Sequence, residues 1–201
     1  MIGNLIDLDK TLFLALNHFA APGVDPIMGF ITGYIPWVLC FIAVLAMLIK
    51  QEWRPSRTRF FILLGGIILT YALTDLVSVH LFKDVFMRLR PCHEPALAGQ
   101  VRLPGNHCGG QYGFVSSHAA NSFGLALIAS RILNRRWFTI SIFSWAIIVS
   151  YSRIYMGVHY PGDVLCGLLL GCLIGLGVFA LLQFILKKCH PGSPISTHEH
   201  P

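Results

Sequence analysis

The sequence predicts an all-α integral membrane protein. It would be a bundle of five transmembrane helices, six if the N-terminal segment also crosses, with that segment otherwise lying along the interface as an amphipathic helix. Three observations predict it. Hydrophobic residues make up 55% of the 201 residues and charged residues only 12%, where soluble domains carry about 25% charged residues. Mean hydropathy is +0.66, more apolar surface than a soluble core of this size can hide. The apolar residues also fall in runs near the roughly 20 residues that a spanning helix needs.

The elements follow in chain order. Over residues 4–20, Leu5, Leu8, Leu12, Leu16 and Phe19 recur at helical spacing, and Asp7, Asp9 and Lys10 form a polar patch. That pattern suits a helix in the interface plane; a sixth crossing is the alternative. Its acidic residues stand where a cleavable signal peptide wants positive charge. Spans are expected near 26–49, 58–82, 117–133, 137–151 and 161–186. Residues 187–201, rich in proline and polar groups, read as a flexible cytoplasmic tail. The chain 1–201 reads as a single domain.

Sidedness comes from the positive-inside bias. Lys50, Arg54, Arg57 and Arg59, then Arg131, Arg135 and Arg136, then Lys187 and Lys188 share one side of a five-span arrangement, which is therefore the cytoplasmic one. Segments 83–116 and 152–161 face outward, yet they hold Lys83, Arg88, Arg90, Arg102 and Arg153. Cations on the wrong side call for a reason, and an anionic ligand supplies one. The net charge of +6 does not point to nucleic acid, because the basic residues are not gathered on a polar domain.

The outward segments carry the chemistry. In KDVFMRLRP, Lys83 and Arg90 are seven residues apart, close to two helical turns, so both would project from one face; Pro91 would stop the helix. Read alone, the pair could merely snorkel to headgroups. In GFVSSHAANSFG, Ser116 and Ser117 are N-cap residues before an apolar run. The opening turn they start is a ready anion site, and His118 sits in it. In SRIYMGVHYPGD, Arg153 ends a span and His159 stands before Pro161, a favoured first helical residue. Asp163, four residues on, is within reach of that imidazole. An Asp–His pair holds one tautomer and leaves an imidazole able to act as a nucleophile; it could equally only stitch two helices together. Taken jointly, Lys83, Arg90, Arg153, His118, His159 and Asp163 form a phosphoryl-transfer set without a Walker motif or an acidic metal cluster.

These blocks resemble the type 2 phosphatidic acid phosphatase family, whose fold is shared with vanadium haloperoxidases. The family pattern reads KxxxxxxRP, PSGH and SRxxxxxHxxxD. Lys83, Arg90 and Pro91 meet the first block, and Ser152, Arg153, His159 and Asp163 meet the third. The middle block here is Val115-Ser116-Ser117-His118, with the Pro and Gly replaced. The resemblance implies that His159 attacks phosphorus, Asp163 orients it, and His118 protonates the leaving oxygen and then activates water. It implies phosphate binding by Lys83, Arg90, Arg153, Ser116 and Ser117, with no metal and no cofactor.

Lesser features complete the reading. Cys92 and Cys108 are candidates for a disulfide in the outward segment; the neighbouring His93 and His107 do not make the usual zinc spacing. Asp75, an ionisable residue within a span and so a functional suspect, is read as hydrogen-bonding inside the bundle; Asn121, one turn below His118, either supports the site or only bridges helices; and Gly167, Gly171 and Gly175 read as a packing stripe. The expected protein is a metal-independent lipid phosphatase or diphosphatase of the bacterial inner membrane, with its site facing the periplasm or outside. Its substrate is a lipid in the bilayer, undecaprenyl diphosphate first, with phosphatidylglycerophosphate, phosphatidic acid or a lipid A phosphate as alternatives. No obligate protein partner is inferred. A non-catalytic phospholipid-binding protein or transporter is the alternative class.

Overall fold

The computed structural model describes residues 2–19 and 22–189. Eight α-helices follow one another: α1 (Ile2–His18), α2 (Asp25–Thr32), α3 (Tyr34–Glu52), α4 (Arg57–Val77), α5 (Asp84–Phe86), α6 (Ser117–Leu133), α7 (Arg136–Tyr155) and α8 (Pro161–Cys189). Four stretches are long and apolar enough to cross a membrane: α3, the continuous Arg57–Phe86, α7 and α8. The remaining expected span, 117–133, corresponds to α6, which is not among those four. It has only 17 residues, about 25 Å at 1.5 Å per residue, yet it runs between the same two ends of the bundle. It can be that short and less apolar because it meets protein rather than lipid on nearly every side: Ala119 through Ala126 are all buried.

Close approach of α6 and α8 is what sheathes it. A Cβ at Gly171 would lie 2.2 Å from the Ala120 carbonyl oxygen, and one at Gly167 would lie 2.5 Å from that of Ser116. Only hydrogen fits there, which is how small residues let membrane helices touch backbone to backbone. Below the stripe, Leu63, Ile67, Leu125, Ile128, Ile132 and Leu182 fill the bundle interior. Leu39, Ile42, Ile68, Ile140, Ile147, Leu169 and Leu173 point outward, exposed for lipid. The threonines of α4 satisfy their hydroxyls locally, as hydrocarbon requires: the Thr70 hydroxyl donates to Gly66 O at 2.9 Å and that of Thr74 to Thr70 O at 3.0 Å.

Three expectations change. The span expected over 26–49 is broken at Gly33, whose extended backbone (φ −73°, ψ 174°) separates α2 from α3. The helix expected to carry Lys83 and Arg90 on one face ends between them. A π-helical turn over Ser78–Lys83 runs into α5, and Met87 adopts a left-handed conformation (φ 45°) that stops it. Arg90 therefore lies on an extended segment, fixed by the Leu89–Tyr112 bridge and by Arg90 N donating to Gln111 O at 3.1 Å. The helix also continues past Lys187 through Cys189; the rest of the expected tail, 190–201, lies outside the described residues.

The loops sort to two ends. Residues 83–116 and 152–161 share one end; residues 50–59, 131–136 and the end of α8 share the other. α1 lies against the first end, packed on α7 and α8. It is pinned by Asn17, whose side-chain nitrogen donates to Arg102 O at 3.0 Å and Tyr155 O at 2.9 Å. Leu5, Leu8 and Leu12 remain exposed, the apolar face an interfacial helix needs.

Candidate active site

At the first end a cavity of about 410 Å³ opens between α3, α4, α6 and α7, and Lys83, Arg90, Ser117, His118, Arg153 and His159 all line it. Each reaches it for a local reason. The π-helical turn carries Lys83 toward the start of α6, where Nζ donates to the Ser117 hydroxyl at 2.5 Å. Such insertions recur at functional sites. Arg90 is clamped from its own loop, Nε to Tyr112 O at 3.2 Å and Nη1 to Cys108 O at 3.0 Å. Cys92 and Cys108 are joined as a disulfide, which closes the loop holding one of those carbonyls. Arg153, near the end of α7, donates to the Thr32 hydroxyl at the α2–α3 break. His118 packs edge-to-face on Trp37, centroids 6.1 Å apart.

His159 follows a turn at Gly157. That residue is left-handed (φ 76°), and a Cβ there would meet the Arg102 carbonyl oxygen at 2.6 Å. The imidazole is 2% exposed. Its Nδ1 lies 3.5 Å from Asp163 Oδ2, wide for a hydrogen bond. Burial first, then the charges of Arg90, Arg153 and Lys83, hold the ring well below its ordinary pKa, so it is neutral at physiological pH. Burial also holds the Arg90 guanidinium below its usual value, with Asp163 opposing, though it stays charged.

Two expected residues stand behind the cavity rather than on it. Ser116 is the N-cap of α6, its hydroxyl accepting from Ala119 N at 3.5 Å; Ser117 is the serine that faces the cavity. Asp163, fully buried, lies behind His159 and accepts from Tyr160 N at 3.0 Å.

Sequence reasoning missed the residues that hold Asp163. Arg88 Nη1 donates to Asp163 Oδ1 at 2.8 Å, and Nη2 donates to Asp9 Oδ2 at 2.7 Å. Asp9 also accepts from Gly162 N at 2.8 Å, in the first turn of α8. The guanidinium lies over the Tyr160 ring at 4.1 Å. Burial opposes the charge on Arg88, but the Asp163 and Asp9 carboxylates outweigh it and raise its pKa. The acids of α1 are thus not merely a water-facing patch: Asp9 pins two elements of the site. The one signal in the sequence was that Arg88 is among the basic residues on the outward side.

Charge pairing separates the five outward cations. Arg88 is matched by Asp9 and Asp163, and Arg102 by Asp25 at 2.5 Å. Among the described residues, no ion pair links Lys83, Arg90 or Arg153 to a carboxylate. They converge on the cavity, where Asp75 is the one acidic residue among the described lining residues, and leave a net positive charge. The one cluster of three metal-ligating side chains among the described residues, Cys92, His93 and Cys108, has both sulfurs in the disulfide.

A helical membrane bundle with unbalanced cations and a neutral, buried imidazole around one cavity defines the class: a membrane phosphatase. Comparison with known proteins gives the family. The sequence model of the PAP2 superfamily matches residues 59–187. The chain is 35% identical to the lipid A 4'-phosphatase of Porphyromonas gingivalis, over 92% of this chain and 77% of that protein. It is 36% identical to the lipid A 4'-phosphatase of Bacteroides thetaiotaomicron, over 94% and 81%. A PAP2-type phosphatidylglycerolphosphate phosphatase from Bacillus subtilis shares the fold, with a TM-score of 0.68 at 22% identity over 94% of this chain and 90% of that one. The chain belongs to the PAP2 superfamily. It is a multi-pass membrane enzyme, a hydrolase of lipid phosphates.

Proposed function

We propose that this enzyme removes a phosphate monoester from a membrane glycolipid of the lipid A class, through a phosphohistidine intermediate. One observation carries the mechanism: His118 and His159 face the same cavity as three cations that, among the described residues, form no ion pair. His159 contributes its electron pair to phosphorus through Nε2, since Nδ1 is turned to Asp163. The bond from phosphorus to the lipid oxygen breaks, and His118, protonated against the negative charge of the bound phosphate, gives that oxygen its proton. His118, now neutral, takes a proton from water as the water oxygen attacks phosphorus. The P–N bond breaks, inorganic phosphate leaves and His159 is restored. Asp163 orients the ring and offsets the charge it acquires. Lys83, Arg90, Arg153 and the opening turn of α6 at Ser117 hold the phosphoryl oxygens, and no step calls for a metal.

Similarity to two lipid A 4'-phosphatases over nearly the whole chain supports this headgroup over the undecaprenyl diphosphate that stood first in the sequence reading. The basic loops at the far end of the bundle support an outward-facing site in an inner membrane. The test is phosphate release by purified enzyme in detergent from lipid A, undecaprenyl diphosphate, phosphatidylglycerophosphate and phosphatidic acid, with excess chelator throughout. Lipid A should be hydrolysed fastest, and His159→Ala and His118→Ala should fold but release nothing. Stoichiometric lipid binding without turnover would favour a transporter or lipid-binding protein instead.

A further inference from the structure

The cavity has a second wall that the mechanism does not use. Asn121 on α6 and Asp75 on α4 both line it. The Asn121 amide donates to Asp75 Oδ1 at 3.2 Å. Asn121 is 5% exposed, and its Oδ1 has no hydrogen-bond partner among the described residues. With Nδ2 committed to the carboxyl group, that buried oxygen can only accept. Asp75 is exposed although it lies within a spanning helix, so its carboxyl looks into the cavity rather than at lipid. Two acceptors therefore stand side by side in a pocket whose other end is cationic.

Their position says what they meet. Asn121 lies three residues beyond His118 on α6, about 5 Å further along the axis and on a neighbouring face. His118 is the group that protonates the leaving oxygen in the mechanism above. The acceptors thus border the leaving alcohol, not the phosphoryl group. A prenyl chain would bring only C–H groups to them and leave a buried oxygen unpaired. A phosphorylated sugar carries hydroxyl or amide N–H donors one or two carbons from the ester oxygen, at this distance.

Building on the glycolipid reading, we propose that Asn121 Oδ1 and the Asp75 carboxyl form a subsite that binds hydrogen-bond donors flanking the scissile ester, and so selects sugar phosphates over prenyl phosphates. A site built to bond a hydroxyl discriminates strongly against analogues that lack it.

The experiment compares kcat/KM for a lipid A-type glycolipid monophosphate and for undecaprenyl monophosphate in the same detergent, in wild type, Asn121→Leu and Asp75→Asn. The leucine is near in volume and removes the acceptor; the asparagine keeps the shape and removes the carboxylate. The ratio of glycolipid to prenyl activity should fall at least tenfold in Asn121→Leu and severalfold in Asp75→Asn. If Asn121→Leu does not fold, Asp75→Asn decides alone. Equal losses on both substrates would make the pair a support for His118, and a ratio within twofold of wild type would make it a tie between helices; either overturns the subsite alone. Wild-type preference for the prenyl phosphate overturns the glycolipid reading and the subsite with it.

Discussion

Removing Arg88 tests whether the site is held from behind. In Arg88→Ala the fully buried Asp163 loses its bond at 2.8 Å, and Asp9 loses one at 2.7 Å. Stripping one partner from a buried pair typically costs 3–5 kcal/mol. Arg88 retains 26% exposure, so water recovers part of that, and about 3 kcal/mol is an upper figure. If His159 is the nucleophile and needs Asp163 in place, that loss, felt wholly in the transition state, is roughly 100-fold in rate at 1.4 kcal/mol per decade. Arg88 does not line the cavity, so kcat should fall while KM changes little. Arg88→Lys keeps the charge but cannot bridge two carboxylates, and should recover only part of the loss. Steady-state kinetics on purified variants, with melting temperatures alongside, read both effects. Wild-type kcat in a folded Arg88→Ala protein, or a loss confined to KM, would refute the reasoning.

Three more outcomes are expected. His159 is held well below the ordinary 6.5, so protonation of this nucleophile should cut kcat/KM only well into acid and not near that value. The unfolded chain takes up this proton first, so folding stability should decline as pH falls below 6.5, and His159→Ala should flatten that slope in denaturant titrations at pH 7 and 5. Gly171→Ala places a methyl group 2.2 Å from Ala120 O, between two backbones; a destabilisation of about 1–3 kcal/mol or more is expected, read as a lower melting temperature. Cys92→Ser with Cys108→Ser opens a 16-residue separation, worth about 3 kcal/mol by loop closure. It should also weaken phosphate binding through Arg90, giving a raised KM alongside the drop in melting temperature.

Much of the bundle was legible because hydrocarbon leaves few choices. Long apolar runs between basic loops can only cross, and Gly167, Gly171 and Gly175 at a four-residue spacing read directly as a contact stripe. What could not be read were features set by a partner elsewhere in the chain. Glycine in an apolar run is compatible with a helix or a break, and only the structure shows that Gly33 breaks it and brings Thr32 to Arg153. Asp9 and Arg88 are 79 residues apart, and nothing local to either announces the other. The fit of Asn17 to the carbonyls of Arg102 and Tyr155 was equally out of reach, because any asparagine near a helix end looks the same.

Lys83 and Arg90 reach one cavity by a route other than the one their spacing suggested. Seven residues from Lys83 to Arg90 looked like two turns of one helix. In the structure the same interval holds the end of a π-helical turn, a short α-helix, a left-handed Met87 and an extended strand-like segment. The chain leaves the helix axis after Lys83, and Arg90 comes to the cavity from the extended loop segment. A helix would have set them side by side on one wall. The interval therefore does not encode a helical face. It is the length of chain that departs from α4 and returns one guanidinium to the cavity that the ammonium also lines; the Cys108 carbonyl of the disulfide-closed loop and the Tyr112 carbonyl just beyond it hold that guanidinium there.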